Sequence, residues 1–357
     1  MIRKIAPILF AILLTACAPQ TIPTELDPTN KPTPILPTTT RAPTDAVPES
    51  AEPEEPQIES ANLSFNPGSR EYDTAINFTF YTVDIDLDGD LDLFAPNYTS
   101  ASHLWLNDGS GNFSRSSARF DHNGNHGVHD AAIADFDGDG SPDIFLLYHH
   151  TSSAVYINDG NGGFGQPTQQ IETVGDDPQY IVAGDVEGDG DLDVFITYSR
   201  SPNRLWLNDG FDQFSLSDMV LDDGPAHKMV VTDFNADGAV DLFYCYVDRP
   251  SEVWVNDGSG EFSDTANAIT SQTGCEAYAV GDVDGDGDQD IVLGNASLWL
   301  NDGAANFTQT YVGIEGFAAK LLLFDADEDG DLDMLAGEVS RGNELYLFDD
   351  GSFVFSG

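Results

Sequence analysis

Residues 282–290 read DVDGDGDQD, which places aspartates at Asp282, Asp284, Asp286, Asp288 and Asp290. Two carboxylates ~4 Å apart repel by about 1 kcal/mol in water and by several times that near a protein surface. A folded chain tolerates such crowding only when something offsets it. Side-chain oxygens at alternating positions are the donor set of a hard cation, and oxygen ligands at this density select Ca2+ over Zn2+. Mg2+ prefers a smaller octahedral shell with retained waters.

The stretch is one of six. The others are DIDLDGDLD from Asp84, DFDGDGSPD from Asp135, DVEGDGDLD from Asp185, DFNADGAVD from Asp233 and DADEDGDLD from Asp325. The shared form, D-x-[DNE]-x-D-G-x-x-D, is similar to the first half of an EF-hand loop, where positions 1, 3 and 5 give side-chain oxygens and position 7 a backbone carbonyl. Glycine at position 6 permits the sharp turn. The candidate donors are not equal from copy to copy. Asp84, Asp86, Asp88, Asp90 and Asp92 form a full set, as do Asp282 to Asp290 and Asp325, Asp327, Asp329, Asp331 and Asp333. The second copy offers Asp135, Asp137, Asp139, Ser141 and Asp143, tolerable if position 7 gives only its carbonyl. The third offers Asp185, Glu187, Asp189, Asp191 and Asp193, with a longer arm at position 3. The fourth offers Asp233, Asn235, Asp237, Ala239 and Asp241; with two fewer charges it is expected to be the weakest. Six bound Ca2+ would cancel twelve negative charges and tie together the strands on either side of each loop.

The elements that must position these loops are legible in the spacing. The motif starts lie 51, 50, 48, 49 and 43 residues apart. A second motif keeps step with them: LWLNDGSGNF from Leu104, VYINDGNGGF from Val155, LWLNDGFDQF from Leu205, VWVNDGSGEF from Val253, LWLNDGAANF from Leu298 and LYLFDDGSF from Leu345. It begins 20 residues after the acidic motif except in the fifth copy, where the gap is 16. Repeats of this length signal solenoids, propellers or arrays. Each unit reads as four short strands, A to D, with the acidic loop between A and B and a tight Asn-Asp-Gly hairpin between C and D. Six such units make an all-β fold, a β-propeller, which leaves few free sheet edges. The aromatics at one register of strand C (Trp105, Tyr156, Trp206, Trp254, Trp299 and Tyr346) read as filler between blades, since every blade needs the same one.

Over roughly residues 62–357 the chain resembles the FG-GAP-type repeats, also called VCBS repeats, of integrin α-chains and many bacterial surface proteins. The resemblance implies that the aspartate at position 9 closes each calcium site and that all A–B loops share one face of the propeller. Such propellers often have seven blades, so seven is the alternative to the six motifs counted. Either Asn62-Leu63-Ser64-Phe65 completes the last blade or Phe353-Val354-Phe355 does so alone.

The D–A and B–C connections then share the opposite face. Arg200, Arg249 and Arg341 fall in B–C turns beside His149 and His150, while His129, His227, Lys228 and Lys320 precede acidic motifs by five or six residues. His122 and His126 join them in a Gly-rich loop. The functional reading is a binding surface for a glycan or protein ligand; the plain alternative is that bases simply avoid the acidic face. No G-x-S-x-G, H-E-x-x-H or Cys/His nucleophile signature is present. Some polysaccharide lyases use calcium propellers with related repeats, so the resemblance keeps a lyase-like enzyme with its active site on that face as the rival reading.

Composition narrows the partners. The 357 residues carry 62 acids against 13 bases, a net charge of −49, which argues against nucleic acid and against an anionic membrane surface. With 40% hydrophobic residues and 22 Phe the chain has a core and is no solvated acidic tail. A monomer is expected. Residues 1–16 have a basic start and an apolar run too short to span a bilayer, and Leu14-Thr15-Ala16-Cys17 resembles the lipobox of bacterial lipoproteins, implying a lipid on Cys17 and a place in the cell envelope. Residues 17–61 read as an extended tether; ten prolines lie between 18 and 60. Cys245 and Cys275 either pair, as export permits, or serve as small buried hydrophobes.

Overall fold

The computed structural model describes residues 79–120, 127–149, 151–172, 178–219, 228–246, 249–269, 275, 277–295, 297–311, 318, 320–327, 329–338, 342–349 and 351–356. The N-terminal signal and tether expectations, Cys17 among them, lie outside these residues, as does the 62–65 segment.

Each repeat folds into one four-stranded antiparallel sheet with its strands in chain order. The first blade is β1 (Tyr81–Val83), β2 (Asp92–Ala95), β3 (His103–Asn107) and β4 (Phe113–Arg115). The second is β5 (Val128–Ala134), β6 (Asp143–Tyr148), β7 (Ser153–Tyr156) and β8 (Gln169–Ile171). The third is β9 (Pro178–Gly184), β10 (Asp193–Tyr198), β11 (Arg204–Asn208) and β12 (Phe214–Leu216). The fourth is β13 (Lys228–Thr232), β14 (Asp241–Cys245), β15 (Glu252–Asn256) and β16 (Phe262–Ala268). The fifth is β17 (Tyr278–Gly281), β18 (Asp290–Leu293), β19 (Ser297–Asn301) and β20 (Phe307–Tyr311). The sixth is β21 (Lys320–Phe324), β22 (Asp333–Glu338), β23 (Gly342–Asp349) and β24 (Ser352–Phe355). The fold is a six-bladed β-propeller, and β24 supplies the fourth strand of the last blade from the C-terminal side.

The second strand of most blades is a largely apolar run after its first aspartate, as in DIFLLY and DVFITY, and both of these are buried along their whole length. Such runs suit a strand covered on both faces, here by the blades on either side. First strands of successive blades meet, β5 with β9, β9 with β13 and β17 with β21, as expected of the innermost strands. Five apolar clusters, each shared by consecutive blades, form the core. Tyr156, Trp206, Trp254, Trp299 and Tyr346 all sit in or against these clusters, which assigns these five strand-C aromatics to packing; Trp105 of the first blade joins none of the five clusters. Edge-to-face rings bridge blades: Phe136 meets Phe214 at 5.4 Å and Phe234 meets Phe307 at 5.6 Å, each such pair contributing about 0.5–1.5 kcal/mol beyond its area. Cys245 at the end of β14 and Cys275 ahead of β17 form a disulfide with Cα atoms 5.4 Å apart.

The aspartate that opens the second strand locks each blade. Asp92, Asp143, Asp193, Asp241, Asp290 and Asp333 are buried. One oxygen accepts the N–H of motif position 2 (Ile85, Phe136, Val186, Phe234, Val283 or Ala326) at 2.7–3.0 Å. The other accepts the N–H at the foot of the third strand (Asn107, Asn158, Asn208, Asn256, Asn301 or Phe348) at 2.7–2.9 Å. One carboxylate thus grips three strands.

Four of the asparagines at that foot carry the grip across to the neighbouring blade, while the amide of Asn107 donates to the Leu91 carbonyl of its own blade. Asn158 donates its amide to the Ile85 carbonyl, Asn208 to Phe136, Asn256 to Val186 and Asn301 to Phe234, each at 2.7–2.8 Å. Sequence reasoning read these residues only as turn formers. Their recurrence in register was the available signal, and Phe348 is where it breaks.

Two outcomes follow. Asn208→Ala removes the amide from the buried Phe136 carbonyl and the part-buried Leu192 carbonyl, and should cost about 1–3 kcal/mol in denaturant unfolding. Burial pushes the Asp143 carboxyl up to about 7 and those of Asp193, Asp241 and Asp290 to about 6, against the pull of their backbone N–H partners. Raised folded-state values mean that the native state holds protons the unfolded chain has released. Their contribution is therefore full below the ordinary carboxylate range and is lost as pH rises through 6 to 7. In chelator, the melting temperature should climb on acidification from neutral to mildly acidic pH; a melting temperature that falls would contradict this.

Candidate functional site

The acidic loops hang from one end of the blades. In four of them the carboxylates at positions 1, 3 and 9 converge: Asp84, Asp86 and Asp92; Asp135, Asp137 and Asp143; Asp282, Asp284 and Asp290; Asp325, Asp327 and Asp333. One oxygen from each member lies within 4.8 Å of the others, so each group could hold a metal ion. The turn that gathers them has Gly89 at φ 97° in the first loop, and position 4 is also left-handed there although it is Leu87, at φ 59°.

The chemistry of the donors fits a cation. Oδ1 atoms of Asp84, Asp86, Asp282 and Asp284 are buried and accept no hydrogen bond. A buried carboxylate oxygen with no partner is costly, and a cation between the three carboxylates would supply what is missing. Burial, then the charge of the position-5 neighbour, holds Asp86 and Asp284 above the usual carboxylate range.

The loops differ in ways that track their sequences. In the third, Asp185 Oδ1 accepts from the N–H groups of Gly188 and Asp189 at 2.8 and 3.2 Å, and Glu187 joins no converging group among the described residues. In the fourth, Asp233 Oδ1 accepts from Asn235 and Asp237, and the Asn235 amide donates to Asp237 Oδ2 at 2.9 Å. Backbone and amide donors there do part of what a cation does elsewhere.

Position 5 and position 7 carboxylates stand outside the converging groups. Asp88, Asp139, Asp189, Asp237, Asp286 and Asp329 each accept the N–H of the residue two further on. Asp90, Asp191 and Asp288 lie against the glycine of the C–D turn: a Cβ added to Gly109, Gly210 or Gly303 would come 2.2, 2.5 or 2.7 Å from an oxygen of each. Their side chains lie against the turn.

At the opposite end, the starts of the innermost strands gather cations and rings. His129 stacks on His149 at 5.8 Å and meets Tyr180 edge-on at 6.4 Å, and the Tyr98 hydroxyl lies 3.1 Å from His149 Nδ1. Lys228 Nζ stands 5.6 Å from the centre of the Tyr278 ring, and the Arg249 guanidinium covers Tyr246 at 3.7 Å. Arg200 and Lys320 are exposed. His122, His126, His150, His227 and Arg341 lie outside the described residues. One feature here carries no sequence signal: Asp130 of the second blade accepts from the Tyr81 hydroxyl of the first and the Ile181 N–H of the third. Burial pushes Asp130 up to about 6.

The family described as FG-GAP-like repeat matches residues 84–146, 135–196 and 233–293. No curated protein matches the chain. Among solved structures, the BP39L lectin from Burkholderia pseudomallei is similar at a TM-score of 0.57 and 12% identity over 78% of this chain and 84% of the lectin. BBS1N, in a crystal structure of its complex with ARL6DN, is similar at 0.52 and 10% identity over 77% of this chain and 78% of BBS1N. At such identities the likeness speaks for the fold alone. The six sheets identify the fold as a β-propeller, and the family match shows that three of its repeats, between 84 and 293, are FG-GAP-like.

Proposed function

We propose that this chain is a calcium-stabilised binding module of the bacterial cell envelope, anchored by a lipid on Cys17 and held off the membrane by residues 17–61. The observation that carries the reading is the division of labour between the two ends. One end spends its carboxylates on cation-ready loops; the other assembles Lys228, Arg249, His129, His149 and four tyrosines in a chain with 13 basic residues. A glycan or protein ligand is the partner such a face suits. That one similar structure is named a lectin and another is in complex with a protein is in keeping with it.

Calcium is the ion the donors suit, being three carboxylates with no nitrogen or sulfur. Its part is structural. It would bind the folded form and stabilise it by mass action. The loops at 84 and 282, whose donor oxygens are unsatisfied, should fill first, and the loop at 233 last.

Chelation should lower the melting temperature by on the order of 10 °C. At limiting calcium, native mass spectrometry should show that Asp84→Ala or Asp282→Ala removes one tightly held ion and that Asp233→Ala removes none. An unchanged melt with no bound calcium would refute the structural role. A glycan and protein array, read with and without calcium, tests the module: saturable binding supports it, and no binding to any member removes it.

A further inference from the structure

Lys228 opens β13, Tyr278 opens β17 and Lys320 opens β21, while His129 and Tyr180 sit one or two residues from the starts of β5 and β9. These are the innermost strands, and the residues fall at their ends away from the acidic loops. They therefore ring one mouth of the central channel.

Two lysines at this mouth feel each other. Lys228 is half-buried over Tyr278, and burial, followed by the charge of Lys320, holds its ammonium below the usual lysine range. An anion that comes within reach of two ammonium groups at once is attracted by both. The nearby carboxylate of Asp130 is 8% exposed and has both oxygens engaged by Tyr81 and Ile181. Beside the lysines stand half-buried rings, Tyr180 and the His129–His149 stack. Cations next to aromatic faces suit a carboxylated sugar, whose anion pairs with the ammonium groups while its C–H face lies on a ring. A peptide carboxylate would use the lysines and leave the rings idle.

We propose that this channel mouth binds an acidic saccharide, with Lys228 and Lys320 taking the carboxylate and Tyr180 and His129 receiving the sugar ring. The proposal rests on the binding-module reading and narrows it to one class of ligand.

The test is calorimetric titration of the full, calcium-loaded chain with tetragalacturonate, cellotetraose and hexa-aspartate. Tetragalacturonate should bind, with the neutral tetrasaccharide and the acidic peptide weaker by about tenfold or more. Lys320→Ala and Lys228→Ala should each weaken it by about tenfold, and Lys228→Arg should restore most of the loss, with melting curves near that of the unchanged chain. Lys320 is exposed, so its variant reports even if Lys228→Ala fails to fold. Lysine variants within about twofold of the parent, equal binding of cellotetraose, or tighter binding of hexa-aspartate would each overturn the assignment. If some other glycan or a protein on the array binds and tetragalacturonate does not, this inference falls and the binding module stands. If nothing binds, both fall.

Discussion

Everything in this propeller leans on one carboxylate per blade. It opens the second strand, is buried, and accepts one N–H from the loop before it and one from the foot of the third strand. Hydrogen bonds to a charged acceptor are the strong ones, so three strand ends are fixed by a single side chain. The same carboxylate also faces the converging pair at positions 1 and 3, except where the third and fourth loops have replaced an aspartate there. Structure and ion binding therefore share a residue. The ionised form that a cation wants is the form that burial resists, and the two demands are reconciled only when the cation is present.

Blade-to-blade order is built differently. Apolar clusters give the bulk of the attraction, and they are not directional. Register comes from the asparagine amides, which reach one chosen carbonyl in the adjacent blade. The disulfide adds a covalent tie between the fourth blade and the entry to the fifth.

Much of this was legible in the chain. Six acidic motifs in phase with six strand-C motifs leave few architectures, and the aromatic at one register of strand C could be read as interblade filler because a repeated need calls for a repeated residue. The unequal loops were legible too: Glu187 and Asn235 mark the two whose carboxylates do not converge in threes. What was not legible depends on distance between blades. Asn-Asp-Gly fits a hairpin so well that nothing local shows the asparagine reaching some 70 residues back. Asp90 and its equivalents look like ligands by spacing, and only the approach of Gly109 shows where the side chain goes. Tyr81 and Asp130 belong to no repeat pattern, so their contact needed the fold itself.

The four asparagine amides that cross between blades all point the same way, from a later blade to an earlier one. A ribosome delivers this chain from its N-terminus, and each new blade meets a neighbour that is already made. Blades two to five can thus be fastened in order of arrival, with no half-built blade waiting on residues still to come. The sixth, with Phe348 where the others have asparagine, docks on the fifth through apolar packing alone at that position. The direction of four side chains lets blades two to five be assembled in the order in which they are synthesised, each fastened to the one before it.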